Sequence, residues 1–220
     1  MTPSSNDSTS PAIEEADRKP QRRERAKEEK LRRIKDAARA LFSEKGFENA
    51  STTEIADRAD IGAGTLYLYV STKEDLLAMV FIDDVLVEFN RAYKRAPKDR
   101  PLVEQLLAFF SDLIEYHMKD ADLSRHFLRE MGIARSERAE AEINRIMRAV
   151  NGRVRDLITA AQASGEVWTD MNPDLATRVA FACYYHVLIG RINMRLNREE
   201  AVAELQARLE IIMCGLSARR

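Results

Sequence analysis

The fold of this chain is decided by the stretch from Ser51 to Lys73, which reads STTEIADRADIGAGTLYLYVSTK. Ser51 predicts a helix N-cap, and Glu54 three residues later completes a capping box. A turn over residues 60–62 separates this first helix from a second one, predicted over residues 64–70. Two short helices joined by a tight turn form a helix-turn-helix, whose second helix can enter the major groove of DNA.

The same stretch resembles the DNA-binding signature of tetracycline-repressor (TetR) type regulators. The similarity is continuous from about residue 30 to residue 77, and the upstream run AARALFSEKGF fits the first helix of that domain. The resemblance implies a dimeric transcriptional regulator, most often a repressor, that binds a palindromic double-stranded DNA operator and is released by a small-molecule effector. Beyond residue 77 the resemblance is one of architecture only.

Three positions of the turn depart from the usual family pattern. Asp60 stands where Gly is common, Gly62 where Ser is common, and Ala63 where Lys or Arg is common. Asp tolerates the left-handed backbone conformation that such a turn needs. Ala63 lacks a donor for a base or a phosphate, so these departures bear on the operator sequence rather than on the fold.

The resemblance also implies which residues contact DNA. It places base contacts at Thr53, Ala63, Gly64, Thr65 and Tyr67, and phosphate contacts at Ser51, Thr52, Tyr69 and Lys73. The residue chemistry agrees, because small residues at the start of the second helix allow a close approach, and Thr65 and Tyr67 offer methyl, ring and hydroxyl groups. Lys73, at a helix start, presents a positive charge beside free backbone N–H groups, which suits a phosphate.

The distribution of charge favours nucleic acid although the net charge is only −1. Residues 18–35 contain ten Lys and Arg against three Glu. A basic arm that leads into a helix-turn-helix is typical of a segment that contacts the phosphate backbone. Without the motif, the alternative of an ordinary solvated helix face would be preferred.

Helical periodicity of apolar residues runs through the rest of the chain, and no strand-like alternation is sustained. The sequence therefore predicts an all-α fold of about nine helices. Its parts are a disordered tail (residues 1–20), a three-helix DNA-binding domain (21–90, with the helix-turn-helix at about 51–70) and a ligand-binding and dimerisation bundle (91–220). The tail is predicted to be disordered because it has almost no apolar residues, and the first helix is expected to begin near residue 22.

The last two predicted helices, near residues 173–195 and 199–217, carry apolar residues at heptad spacing. The candidates for the dimer interface are Ala180, Cys183, Val187, Gly190, Leu205, Leu209 and Ile212. A second apolar set, Leu175, Val179, Ala182 and Ile189, remains to face the chain's own core, which favours an intermolecular four-helix bundle. The alternative is that both seams pack within the chain. The resemblance implies the dimer.

An effector cavity is expected between the helices of the bundle. Its candidate residues are aromatic, Met and His side chains, which are more often core than pocket: Phe109, Phe110, Tyr116, His117, Phe127, Met131, Trp168 and Tyr184.

The sequence contains no HExxH, no GxSxG, no Gly-rich phosphate loop and no paired-cysteine metal site. Neither an enzyme activity nor a metal or cofactor is therefore expected.

Cys183 and Cys214 are expected to be small core residues in a reducing cytoplasm. No stretch approaches the about 20 apolar residues of a membrane span. The alternative from another class is an all-helical small-molecule-binding or scaffold protein that does not read DNA specifically.

Overall fold

The computed structural model describes residues 11–131 and 137–216. Within these ranges the chain forms nine α-helices, which confirms the all-α class. Numbered in chain order, they are α1 (Pro11–Asn49), α2 (Thr52–Arg58), α3 (Ala63–Leu66), α4 (Lys73–Arg95), α5 (Leu102–Met118), α6 (Ala121–Met131), α7 (Glu137–Ala163), α8 (Pro173–Ile192) and α9 (Arg198–Leu216).

Helix α1 is longer than its apolar pattern predicts. It begins at Pro11 rather than near residue 22, so the second half of the segment predicted to be disordered is helical, and residues 1–10 lie outside the described part. Lys, Arg and Glu are strong helix formers, so a helix nucleated on the packed half propagates into a charged segment. The helical path is interrupted at Gly46, where φ is 76°, a conformation that favours glycine.

The helix-turn-helix forms as its local signals predict. The Glu54 backbone N–H donates to Ser51 Oγ at 3.2 Å, and the Ser51 backbone N–H donates to Glu54 Oε2 at 3.1 Å, which completes the capping box. Asp60 adopts the left-handed conformation with φ of 54°. Helix α3 ends at Leu66 instead of residue 70, because the next residues form tighter bonds, such as Tyr69 N–H to the Leu66 carbonyl at 2.9 Å.

Helix α4 connects the DNA-binding domain to the bundle, because it contacts α1 on one side and α5, α6 and α7 on the other. Asp83 on α4 lies between two cations: Lys35 Nζ of α1 is 2.6 Å from Oδ2, and Arg145 Nη2 of α7 is 2.7 Å from Oδ1. Burial opposes ionisation of this carboxyl, but hydrogen bonds from Arg145 and Lys35 outweigh it and hold its pKa below the usual range. The ionised Asp83 thus ties α1 to α7.

The predicted dimer seam is wrong at four of its positions. The side chains of Ala180, Val187, Leu205 and Leu209 are buried in the chain's own core. Cys183 and Ile212 are half-buried, and a Cβ added at Gly190 would lie 3.0 Å from Leu196 Cδ1 of the same chain. The alternative of packing within the chain therefore holds for this set.

The residues on the outward face of α8 lie one position earlier in the heptad pattern than the residues predicted for the dimer seam. Leu175 is 54% exposed and Val179 is 43% exposed, and Ala182 is also exposed, although these residues were predicted to face inward. Ile189, from the same set, is half-buried. A shift of one residue turns a helix face by about 100°. Both sets have the same spacing, so only the packing of α8 on α5 and α7 decides which one is inside.

Both cysteines are free thiols, and Cys214 is exposed rather than a core residue. No helix within the described ranges is both long enough and apolar enough to cross a membrane.

Candidate nucleic-acid interface and effector cavity

The start of α2 and the end of α3 meet at one surface of the DNA-binding domain. Their contact includes a hydrogen bond between the hydroxyls of Thr52 and Tyr67, whose oxygens are 3.1 Å apart. The Tyr67 side chain is 54% exposed. Of the other residues predicted to contact DNA, Ser51, Thr53, Ala63 and Gly64 are exposed, whereas Thr65 and Tyr69 are half-buried.

Two features of this surface allow close approach to a nucleic acid. A Cβ added at Gly64 would meet nothing within 4 Å, so the start of α3 presents bare backbone to solvent. The side chains of residues 22–30, which include five Lys and Arg, are all exposed along the first part of α1. Exposed cations and an unobstructed helix start both suit a polyanion.

Leu68 belongs to this surface, although the sequence pattern did not single it out. Its side chain is 82% exposed, which is unusual for a leucine. It lies midway between the buried Leu66 and Val70, and a residue two positions along a helical turn points to the opposite side. Its position between two inward-facing residues was the sequence signal for an exposed side chain.

Lys73 has a different role from the one predicted. Its Nζ donates to the backbone carbonyls of Phe47, Glu48 and Ala50 at 2.8, 3.1 and 3.1 Å, and it lies 4.5 Å from the centre of the Phe47 ring. An ammonium group has three donors, and all three are used at the end of α1. The predicted phosphate contact is therefore wrong, and Lys73 instead holds α4 against α1.

Replacing Tyr67 tests whether this surface reads bases. Tyr67→Ala is expected to weaken binding to a specific operator by about 10-fold to 100-fold, because base contacts contribute about 1–3 kcal/mol each. Binding to a scrambled duplex should hardly change, and the exposed ring should matter little for stability. Gel shifts on both duplexes measure this, with Tyr67→Phe, which keeps the ring, as the matched control. Equal losses on both duplexes would exclude base reading by Tyr67.

A small apolar cavity of about 20 Å³, room for about one water molecule, lies in the bundle. Five helices, α4 to α8, contribute to its walls. It is lined by Phe89, His117, Phe127, Leu128, Ile146, Met147, Val150, Phe181, Tyr184, Tyr185 and Leu188. Three of the predicted pocket residues, His117, Phe127 and Tyr184, line this cavity.

The other predicted pocket residues lie elsewhere. Phe109 and Phe110 are fully buried in the core, where the Phe110 ring stacks on Tyr184 with centroids 4.8 Å apart. Tyr116 lines a second space of about 160 Å³, which α1 also borders. Trp168 is 43% exposed between α7 and α8. The side chain of Met131 lies outside the described residues.

The cavity residues that the sequence analysis missed come mainly from α7 and α8, at Ile146, Met147, Val150, Phe181, Tyr185 and Leu188. Helical periodicity indicates which residues of a helix face inward, but it does not say which of them border a space and which fill it.

Two polar groups interrupt the apolar walls. Ser124 Oγ donates to the His117 carbonyl at 2.9 Å and lies 3.2 Å from His117 Nδ1. Since the hydroxyl has one hydrogen, Nδ1 carries a proton and donates to Ser124, which leaves Nε2 as an acceptor. Burial lowers the pKa of His117 to about 3, so the imidazole is neutral. The Tyr184 hydroxyl is buried and has no hydrogen-bond partner within the described residues.

The neutral His117 predicts a pH dependence of stability. Its pKa is depressed on folding, so the unfolded chain binds the proton more readily and stability falls as pH drops below about 6.5. Between pH 7 and pH 5 this group should cost about 2 kcal/mol of unfolding free energy. Urea unfolding across this range should show a shallower pH dependence in His117→Gln than in the wild type. Identical slopes would exclude a buried, neutral His117.

No three His, Cys, Asp or Glu side chains gather into a metal site within the ranges that the structure describes.

A helix-turn-helix joined by one long helix to a bundle with an internal cavity defines a DNA-binding regulator that carries its own sensor domain. Residues 34–80 match the family model "Bacterial regulatory proteins, tetR family", and residues 99–187 match "Tetracyclin repressor-like, C-terminal domain". The chain belongs to the tetR family, and it is a ligand-responsive, DNA-binding transcriptional regulator.

Individual relatives agree with this assignment. The transcriptional repressor KstR of Rhodococcus jostii is 26% identical over 200 residues, which cover 89% of this chain and 87% of KstR. The FadR structure from Bacillus subtilis, in complex with stearoyl-CoA, has a TM-score of 0.64 and 23% identity, covering 84% of this chain and 98% of that one. Thermus thermophilus FadR with lauroyl-CoA has a TM-score of 0.66 and 22% identity, covering 86% and 96%.

Proposed function

We propose that this regulator is a repressor that binds a two-fold symmetric operator as a homodimer in the cytoplasm, and that an acyl thioester of coenzyme A releases it. No catalytic step is part of the proposal. The observation that carries it is the cavity between α4 and α8, which combines apolar walls with a buried hydroxyl that lacks a partner.

The chemistry of the cavity favours an acyl chain with a carbonyl group. At about 20 Å³ the cavity is far smaller than the about 300–1,000 Å³ of most small-molecule sites, so a ligand would enter by displacing lining side chains. Burial raises the pKa of Tyr184, which therefore stays protonated and offers an O–H donor. A buried hydroxyl without a partner costs about 1–3 kcal/mol, and a ligand carbonyl would recover that cost. The bound acyl coenzyme A molecules in the two FadR structures support this class of effector.

The DNA side of the proposal rests on the exposed surface around Tyr67. Bare backbone at Gly64, the ring of Tyr67 and the apolar Leu68 are arranged to approach base edges, while the cations of residues 22–30 are available to phosphates. The capping hydroxyl of Ser51 and the side chain of Thr52 are proposed to contact the backbone beside them. The remaining predicted base contacts are Thr53, Ala63 and Thr65, with Tyr69 at the phosphates.

The dimer is proposed to form through the outward faces of the last two helices. On α8 this face contains Leu175, Val179 and Ala182, and on α9 it contains Ile211, which is 73% exposed. Large apolar side chains that remain exposed on adjacent helices mark a surface for association. A two-fold dimer places two DNA-binding domains on a symmetric operator.

Helix α6 is placed to connect the cavity with the DNA-binding domain. Phe127 lines the cavity and stacks on Phe81 of α4, with centroids 4.3 Å apart. Its neighbour His126 packs on Phe47 at the end of α1, with centroids 4.9 Å apart. A ligand that displaces Phe127 therefore shifts the contact at Phe47 as well. Such coupling is typically worth about 1–3 kcal/mol.

The rival interpretation is a helical binding protein that does not read DNA specifically. Gel shifts on DNA from upstream of the chain's own gene distinguish it from the proposed regulator. A specific reader should hold its site against competitor DNA, and its affinity should fall steeply as salt rises. Binding that competitor DNA removes at every salt concentration would favour the rival.

A further inference from the structure

A second opening borders the apolar cavity on the side of α7. It is a groove of about 410 Å³ between α4 and α7, and Phe89 lines both spaces. The groove has a different chemistry from the cavity: three of its lining residues are arginines, Arg148, Arg153 and Arg155, against one carboxylate, Asp156.

The positive charge of this groove is only partly neutralised within the described residues. Arg148 is exposed and has no carboxylate partner there. Arg153 donates to the neutral Asn90 Oδ1 at 3.2 Å, and its Nη1 lies 3.7 Å from Asp156. Arg155 reaches Asp174 at 3.5 Å, a long ion pair between exposed side chains, which contributes little.

A further cation stands beside the groove. Lys98 Nζ lies 3.6 Å from the centre of the Tyr93 ring, and the Arg153 guanidinium lies 4.8 Å from the same centre. Burial and then the repulsion from Arg153 lower the pKa of Lys98. Asp156, 3.7 Å from Arg153, offsets only part of this positive charge, so the two cations that share the ring would gain from a bound anion.

Gly152 opens the floor of the groove. It lies in the interior of α7, where glycine costs about 1 kcal/mol relative to alanine. No close packing requires it, because an added Cβ would meet nothing within 4 Å. The missing side chain leaves room for a ligand against the helix backbone.

We propose that this groove binds the phosphate-bearing head of an amphipathic effector, whose acyl chain passes Phe89 and widens the apolar cavity by displacing its lining side chains. The inference rests on the proposed function, and it assigns the second half of the ligand site. Guanidinium groups match phosphate oxygens through paired N–H donors. Neither space alone suits the whole ligand, because the cavity lacks cations and the groove lacks an enclosed apolar volume.

Calorimetry on the full-length protein tests the assignment with four probes: palmitoyl-CoA, coenzyme A, palmitate and inorganic phosphate. The double variant Arg148→Gln, Arg153→Gln is expected to bind palmitoyl-CoA and coenzyme A about 10-fold to 100-fold more weakly, because charge-assisted hydrogen bonds are lost. Palmitate should bind both proteins alike. Arg100→Gln, which removes an exposed arginine paired with Glu104 outside the groove, is the matched control.

Gly152→Leu provides a test that leaves every charge in place. Leucine is a good helix former, so the variant should fold. Its side chain should fill the groove, which weakens the binding of palmitoyl-CoA while the binding of palmitate is retained. Unchanged palmitoyl-CoA affinity in both the Arg148→Gln, Arg153→Gln double variant and Gly152→Leu would overturn the inference. The inference would also be overturned if the variants lost palmitate affinity to the same extent as palmitoyl-CoA affinity. It would be overturned as well if the wild type bound inorganic phosphate but not coenzyme A.

The two proposals fail in different ways. If palmitoyl-CoA releases the wild type and both variants from DNA at the same concentration, the groove assignment fails and the proposed function stands. If no acyl compound releases the wild type, the proposed effector fails. Coenzyme A binding to the groove is then judged by calorimetry alone, and its absence overturns the groove assignment as well.

Discussion

Val179→Glu is expected to convert the dimer into monomers and to abolish operator binding at nanomolar protein concentrations. Val179 is 43% exposed on the outward face of α8. Two-fold symmetry would place two added carboxylates at one interface, and burying an unpaired charge costs about 3–5 kcal/mol. The dimer dissociation constant should therefore rise by at least about 1,000-fold. Light scattering measures the assembly state, and gel shifts measure operator binding.

The matched control is Val87→Glu, which adds the same charge at a valine on α4 that is 50% exposed. It should leave the dimer intact. The Val179→Glu monomer should keep its helical circular dichroism, because the side chain lies outside the core. A dimeric Val179→Glu variant with wild-type operator affinity would show that the chain associates through another surface.

Lys73→Met is expected to destabilise the DNA-binding domain by about 3 kcal/mol. The ammonium donates to three carbonyls, and hydrogen bonds to charged groups are worth about 1.5–3 kcal/mol each, but the site is only half-buried, so water replaces part of what is lost. Thermal unfolding should occur at a lower temperature, and binding to specific and scrambled DNA should be lost together on warming. Lys94→Met, at an exposed lysine in the last turn of α4, is the control and should behave as the wild type.

The same variant separates the two roles of Lys73. At temperatures where it remains folded, its DNA affinity should keep the salt dependence of the wild type. A phosphate contact would instead lower the slope of log affinity against log salt by about one unit. Unchanged stability combined with such a lower slope would restore the role predicted from the sequence.

The features that the sequence predicted correctly are local ones. The capping box of Ser51 and Glu54 and the left-handed turn at Asp60 depend on residues a few positions apart, so their chemistry is readable in the chain itself. The inward orientation of Leu66 and Val70 follows from helical periodicity in the same way.

The features that it predicted wrongly depend on how helices pack. Lys73 stands at a helix start, as a phosphate ligand would, but the chain brings the carbonyls at the end of α1 within its reach. On α8, the set that contains Val179 and the set that contains Ala180 have the same spacing, and only the neighbouring helices decide which is buried. Of the predicted pocket residues, Phe110 fills the core while His117 borders the space, a difference that hydrophobicity does not encode.

The most direct test of the account measures the coupling between cavity and operator. A fluorescently labelled duplex, selected from the DNA upstream of the chain's own gene, is bound by the full-length protein and titrated with palmitoyl-CoA, while anisotropy follows release. The account predicts that saturating palmitoyl-CoA weakens operator affinity by about 5-fold to 150-fold. A protein that binds palmitoyl-CoA by calorimetry and yet keeps the same operator affinity would contradict it.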